Sequence, residues 1–291
     1  MKAPPFGYVR ATSLAEALEL LEKHGPDARL LAGGQSLIAS LAFRLSEPTV
    51  LIDISRLDDL RGIHRDGDTI RIGAGTTHAQ LGRDAVIAAH ASLLHKAVPL
   101  IAHAAIRNRG TIGGSIAYAD PASELPACCV ALDAAVVVRS KGGVRRIAAR
   151  EFFTGLLTTA LDSAEIIEAI EVPVASPGSR HAIEEVTRRS GDYAMAGFAA
   201  SVRLDGARVA DARLVGFGIG ETPVAASSAA AALVGRPLDA DAISAAQASL
   251  NSDIDPPADP HGSSDTKRHL ARVVLGRALR SIAGTGEARA A

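Results

Sequence analysis

The sequence predicts an α+β protein of more than one domain. Three observations carry that expectation. At 291 residues the chain is long enough to bury several cores. Up to Pro173, short β-rich runs alternate with helical runs. After a cluster of breakers at Ala175-Ser176-Pro177-Gly178-Ser179, which reads as a linker, strands come first and helices later, the order of a smaller α+β unit.

Ser13 to Glu16 matches a capping box, and Leu14, Ala17, Leu18 and Leu21 then recur at helical spacing as far as Gly25. Leu30 and Leu31 read as a short strand leading into Gly33-Gly34, with Ser36 placed to cap a helix running to about residue 45. Residues 49–54 are β-rich. Residues 61–74 read as a hairpin turning at Asp66-Gly67, with Ile70 and Ile72 alternating. Helices are expected over 78–90 and 92–105, and from Ser123 onward. A second hairpin spans 134–139 and 144–148 around Lys141-Gly142-Gly143, and 166–172 is a strand stopped by Pro173. Beyond the linker, 183–189, 199–204 and 207–218 read as antiparallel strands with a tight turn at Asp205-Gly206. Helices follow at 227–234, 240–250 and 266–282. Residues 251–264, rich in Asp and Pro, form a loop, and the last residues are expected to fray.

Composition narrows the function. The net charge is −1 with both signs interspersed, which leaves no electrostatic footprint for nucleic acid or an anionic membrane. No apolar run reaches bilayer length, and the first residues lack the apolar core of a signal peptide. The expected compartment is the cytoplasm, although a complex containing the chain could sit at a membrane. The two cysteines, Cys128 and Cys129, are neighbours, so they supply neither a disulfide framework nor the four thiolates of an iron–sulfur cluster or structural zinc. They read as small buried residues of the helix after Glu124. Any metal redox centre has to come from another chain. The histidines, His64, His78, His90, His95 and His103 among them, show no metal-like spacing.

Two glycine-rich elements carry the most information: Ala32-Gly33-Gly34-Gln35-Ser36 and Thr111-Ile112-Gly113-Gly114-Ser115. Each follows an apolar stretch and ends in a hydroxyl residue. A Gly-Gly pair lets backbone N–H groups approach an anion, because no Cβ intervenes and positive φ costs little. Singly, each reads as a tight turn. Two that converge could hold a pyrophosphate, hence a dinucleotide. No Gly-x-x-x-x-Gly-Lys-Ser/Thr occurs. After Gly73-Ala74-Gly75 the next expected glycine position holds His78, and Gly216-Phe217-Gly218-Ile219-Gly220 runs into Glu221 and Pro223 rather than a helix.

With Ile106-Arg107-Asn108-Arg109-Gly110 before the second element and Ala119-Asp120-Pro121-Ala122-Ser123-Glu124-Leu125-Pro126 after it, the chain resembles a known family. It is similar to the FAD-binding medium subunit of molybdenum hydroxylases, of the carbon monoxide dehydrogenase type within the xanthine dehydrogenase family. Arg188-Arg189-Ser190-Gly191-Asp192-Tyr193-Ala194 and residues 265–270 extend the match over nearly the whole chain. The resemblance implies an α+β architecture: a two-subdomain FAD-binding fold of the vanillyl-alcohol-oxidase (PCMH) type over 1–55 and 56–176, then a small α+β C-terminal domain over 177–291.

By position, the resemblance assigns the FAD pyrophosphate to Ala32, Gly33, Gly34, Gln35, Ser36 and the adjoining Leu37, and to Thr111, Ile112, Gly113, Gly114 and Ser115. Their amides would donate, with the Ser36, Thr111 and Ser115 hydroxyls adding bonds. Ile101 falls at an apolar cofactor contact. Glu124 falls where a carboxylate bonds the cofactor, although it could simply favour the N-terminus of its helix. Ile166 and Ile167 fall near the flavin ring, with ordinary strand core as the plainer reading, and Tyr193 at a stacking position beside the isoalloxazine. Arg188 and Arg189 read equally as cations near the flavin or as a solvated strand edge.

There are departures. Glu184 and Glu185 stand where xanthine dehydrogenase-like members carry a lysine, Tyr118 replaces a histidine, and Ala39-Ser40 replaces Pro-Met. FAD is expected to be non-covalent and to carry the chemistry, so no protein group is assigned a catalytic role. The implied partners are a small subunit with two [2Fe-2S] clusters and a large molybdenum–pterin subunit, in a dimer of heterotrimers. The final acceptor and the substrate stay open. The alternatives are a free-standing FAD-dependent oxidase or dehydrogenase, and an assembly subunit without cofactor.

Overall fold

The computed structural model describes residues 2–260 and 262–284. Three larger sheets and one two-stranded hairpin organise these residues. The first joins Gly7–Arg10, Val50–Asp53 and Ala28–Leu31, with Val50–Asp53 in the middle and both pairings parallel. All four residues of the middle strand are buried, as a parallel sheet covered on both faces requires. Helix Leu14–His24 turns Ala17, Leu18 and Leu21 onto it. Half of the expected capping box forms: Ser13 accepts from the Glu16 amide, while the Glu16 carboxylate reaches past the N-cap to the Thr12 N–H. Strand Gly7–Arg10 was not expected, because its mostly exposed residues show no alternation.

The second sheet has five antiparallel strands in the order Ile63–Asp66, Thr69–Gly73, Ile166–Pro173, Ala135–Ser140, Gly143–Ala148. Both expected hairpins are there. One face carries Ile70, Ile72, Val136, Val138, Ile170 and Val172 into a core shared with helices Ser92–Ala97, Ile112–Tyr118 and Glu124–Ala131. The other face carries Arg71, Arg139 and Arg146 paired with Glu168 and Glu171. That is the period of two expected of a half-solvated antiparallel sheet.

The third sheet is a meander of Ser179–Thr187, Ala194–Asp205, Arg208–Phe217 and Val224–Ala225. Helices Ser227–Ala231, Ala240–Ser249 and Ser264–Ala283 cover one face. The other face sends Ile183, Ala199, Val215 and Phe217 into the core of the second sheet's helices. Cys128 and Cys129 lie wholly buried there, as the sequence suggested.

Several expected elements differ. The helix expected over 78–90 is two short ones, His78–Leu81 and Ala85–His90, because Asp84 accepts from the Val86 and Ile87 amides and starts a new turn. That over 92–105 stops at Ala97, and Pro99 then lies in a 3-10 turn at Val98–Leu100. Helix Leu37–Ala42 ends earlier than expected, and Ser36 makes no side-chain cap. The first strand of the third sheet starts inside the expected linker, at Ser179. The small hairpin Phe153–Gly155 and Thr158–Thr159 went unforeseen. The expected fraying of the last residues lies outside the described residues, and among the described residues no helix is long and apolar enough to cross a membrane.

Candidate functional site

The cofactor residues singled out from sequence, all except Ile112, line one cleft of about 1050 Å³, and Arg188 and Arg189 do not line it. That volume is at the upper end of ordinary small-molecule sites and suits an extended ligand. The first glycine loop leaves the end of strand Ala28–Leu31 and forms one wall: Ala32, Gly33, Gly34, Gln35, Ser36 and Leu37 all line the cleft. Gly34 takes φ +74°, which only glycine adopts without strain. The Gln35 side-chain amide donates to the Gly33 carbonyl at 2.9 Å and braces the loop. The amides of Gly33, Gly34, Gln35 and Ser36 donate to no partner among the described residues. Four consecutive unspent amides beside a cleft are donors that an anion could satisfy.

The second glycine element is not a loop. Thr111 is an N-cap, its hydroxyl accepting from the Gly114 amide at 3.1 Å, and Ile112 to Ser115 form the first turn of helix Ile112–Tyr118. This corrects the expectation that its amides face an anion. Ile112 donates to Thr76, Gly113 to Ala74 and Ser115 to Thr111. Gly113 is required by packing, since a Cβ there would lie 2.5 Å from that of Ala74. Ile112 is fully buried and does not line the cleft, whereas Thr111, Gly113, Gly114 and Ser115 do. The two glycine elements do converge. A Cβ on Gly33 would lie 2.1 Å from the Arg109 carbonyl oxygen.

Ile101 lines the cleft at a tight turn, where Ala102 has φ +41° and the Arg107 guanidinium donates to both the Ile101 and Ala102 carbonyls. Against this turn packs Gly191, at φ +75°, where a Cβ would meet the Ala102 oxygen at 2.6 Å. That contact brings the adjoining Tyr193 to the cleft, its side chain exposed. Partial burial raises the Tyr193 hydroxyl pKa, with Asp120, Tyr118, Glu124 and Asp192 adding to the effect. Ile166 and Ile167 are both buried in cores, the plainer reading, and both border the cleft.

Glu124 opens helix Glu124–Ala131 and borders the cleft while being almost wholly buried. Burial pushes its carboxyl up to about 8, opposed by a bond to its own backbone and reinforced by the charges of Glu185 and Asp120. At neutral pH it is a protonated acid, able to donate one hydrogen bond and accept another. His78 lies buried beside the second element, its Nε2 3.0 Å from the Ser115 hydroxyl. Burial pushes it down to about 4, helped by the Arg107 charge and opposed by a bond to the Thr111 backbone.

Sequence reasoning missed four parts of this site. His78 was read as a missing glycine and as a histidine without metal-like spacing, not as a partner of Ser115. Arg107 and Gly191 were motif letters without a contact. The two departures, Tyr118 and Ser40, turn out to touch each other: their hydroxyls are 2.9 Å apart, tying helix Leu37–Ala42, which follows the first glycine loop, to helix Ile112–Tyr118. The motif at 265–270 acts at a distance. Buried Lys267 donates to the Gly218 carbonyl, and the Gly218 amide donates to Pro121, just ahead of Glu124.

The chemistry of this cleft suits a dinucleotide. Unspent amides of Gly33 to Ser36 and the hydroxyls of Thr111 and Ser115 line it together. Arg56 and Arg109 line it with no ion-pair partner among the described residues. These groups fit a diphosphate, and the aromatic and apolar end at Tyr193, Ile101 and Ile167 fits a flat ring.

Comparison with known proteins agrees. Residues 4–175 match the family model described as the FAD binding domain in molybdopterin dehydrogenase, and residues 181–282 match the CO dehydrogenase flavoprotein C-terminal domain. The chain is 40% identical over 280 residues to the 6-hydroxypseudooxynicotine dehydrogenase complex subunit alpha of Paenarthrobacter nicotinovorans, covering 96% of this chain and 95% of that one. It is 36% identical to the glyceraldehyde dehydrogenase medium chain of Sulfolobus acidocaldarius, covering 97% and 100%. Its fold superposes on a carbon monoxide dehydrogenase structure from Hydrogenophaga pseudoflava with a TM-score of 0.95 at 37% identity, covering 99% and 100%. The chain belongs to the family of FAD-binding medium subunits of molybdenum hydroxylases, the carbon monoxide dehydrogenase and xanthine dehydrogenase family. It is an oxidoreductase flavoprotein subunit.

Proposed function

We propose that FAD binds non-covalently in this cleft and that the subunit takes electrons from [2Fe-2S] clusters of a small partner subunit, delivering them to an external acceptor. The observation that carries the site is the row of four unspent amides at Gly33 to Ser36, in contact with the second glycine element. These amides, with the Thr111 and Ser115 hydroxyls, would hold the diphosphate; Gly113 would border it, and buried Ile112 would support that wall from behind. Glu124, protonated at neutral pH, would bond a cofactor hydroxyl. Tyr193 would cover a face of the ring system, with Ile101, Ile166 and Ile167 excluding water from its surroundings. When bound, FAD collects electrons singly and releases them in pairs, which suits the last station of a chain from a molybdenum centre.

The large molybdenum–pterin subunit would then hold the oxidised substrate, in a cytoplasmic dimer of heterotrimers. The relatives support this division of labour, since their names cite substrates as unlike as carbon monoxide, glyceraldehyde and 6-hydroxypseudooxynicotine. The test is to purify the tagged chain from its native cells and assay the complex for iron, molybdenum and flavin together. Co-purification of all three with two further subunits is the expected result. A chain that emerges alone and turns over a small molecule by itself would favour a free-standing flavoenzyme instead.

A further inference from the structure

The Ser115 hydroxyl is the one side-chain group of the second glycine element whose orientation a neighbour sets from outside that element. His78 is that neighbour. It lies 37 residues earlier, at the start of helix His78–Leu81, where the Thr77 and Gln80 capping box and its own amide, donating to the Gly110 carbonyl at 2.9 Å, fix its backbone. The ring is 4% exposed, and its Nε2 is 3.0 Å from Ser115 Oγ. Its Nδ1 is buried against Gly110, where a Cβ would come within 3.0 Å of it, and has no hydrogen-bond partner among the described residues.

That asymmetry places the ring's proton. A buried N–H without an acceptor is costly and rare, whereas a bare lone pair is tolerated more readily. In the neutral imidazole the proton therefore sits on Nε2, where Ser115 Oγ can accept it beside the Thr111 backbone. A hydroxyl that accepts from the ring keeps its own proton to donate elsewhere. Ser115 lines the same cleft as the unspent amides of the first loop, so that donor would be available to an anion bound there.

We propose that His78 is a positioning residue for the cofactor diphosphate, holding the Ser115 hydroxyl as a hydrogen-bond donor toward it. This rests on the FAD reading above. It also explains why a histidine occupies the place where a glycine would complete a Gly-x-Gly-x-x-Gly run: the phosphate is met here by an oriented hydroxyl and the amides of a separate loop.

The test is a double-mutant cycle on the full-length chain stripped of flavin, read by quenching of FAD fluorescence, with thermal midpoints measured alongside. Ser115→Ala and His78→Phe should each weaken FAD binding about tenfold, within the worth of a hydrogen bond to a charged group. The double variant should bind no more weakly than the poorer single one, and His78→Gln, which keeps an N–H at the Nε2 position, should recover most of the loss. Losses that multiply in the double variant would overturn the proposal, as would a Gln variant no better than Phe. If His78→Phe does not fold, the cycle is run with His78→Met. A wild-type chain that binds no FAD would instead refute the underlying FAD reading, so the two failures are distinguishable.

Discussion

Replacing Gly33 with alanine adds one carbon where there is no room. A Cβ there lies 2.1 Å from the Arg109 carbonyl oxygen and 2.9 Å from Gly110 Cα, against at least 3.4 Å for ordinary contact. Both obstacles are backbone, so the two glycine elements must part by about 1.3 Å. Overpacking of this kind costs about 1–3 kcal/mol. Without ligand the cleft can open and escape most of that cost. Drawing the two walls back onto a diphosphate restores it, so FAD affinity should fall about 5- to 150-fold. The thermal midpoint of the flavin-free chain should fall by no more than about 4 °C. Gly206→Ala is the control. Gly206 has φ +58° and nothing within 4 Å of its Cβ position. It should lose about 1–2 kcal/mol of stability through left-handed strain yet bind FAD normally. Titration of stripped chain with FAD, followed by fluorescence quenching, separates the cases. Wild-type affinity in Gly33→Ala, or equal FAD loss in Gly206→Ala, would refute the argument that the two elements grip the ligand together.

The remaining predictions address stability and the ring site. Glu124 keeps a proton in the fold up to about pH 8 that the unfolded chain releases near 4.5, so its contribution is full below pH 4.5 and is lost as pH rises to 8. At about 1.4 kcal/mol per unit, the flavin-free Glu124→Gln variant should gain in thermal midpoint over wild type as pH rises from 5 to 8; a constant difference would count against it. His78 and His181 act oppositely. Burial lowers both from 6.5 to about 4, so their stabilisation is lost as pH falls through that window in both proteins. Tyr118→Phe and Ser40→Ala should each cost about 0.5–1.5 kcal/mol in denaturant unfolding, with the double variant no worse than the poorer single one. Tyr193→Ala should leave stability within about 0.5 kcal/mol of wild type while weakening FAD binding about 2- to 10-fold, and Tyr193→Phe should retain binding.

How much of this was legible depended on whether the cause was local. The first glycine loop could be read directly, because Leu30-Leu31 before Gly33-Gly34 states a strand followed by a turn that needs positive φ. The hairpins at Asp66-Gly67 and Lys141-Gly142-Gly143 were legible for the same reason. The second glycine element was misread as a loop because two glycines argue against a helix; Thr111 capping and the contact of Gly113 with Ala74 outweigh their poor propensity. Ser36 looked like a cap by type, but its backbone is already in the right-handed helical region, where a capping side chain does not reach. His78, Arg107 and Gly191 stayed silent because their roles exist only across contacts with distant residues. The family resemblance supplied Tyr193 and Glu124; the burial that protonates Glu124 came from the fold.

The most direct test of the account is an absorption spectrum of the chain purified under native conditions, followed by acid release and identification of the pigment. The account predicts flavin bands and about one FAD released per chain. A colourless chain that also fails to take up added FAD would contradict it and leave the assembly-subunit reading in its place.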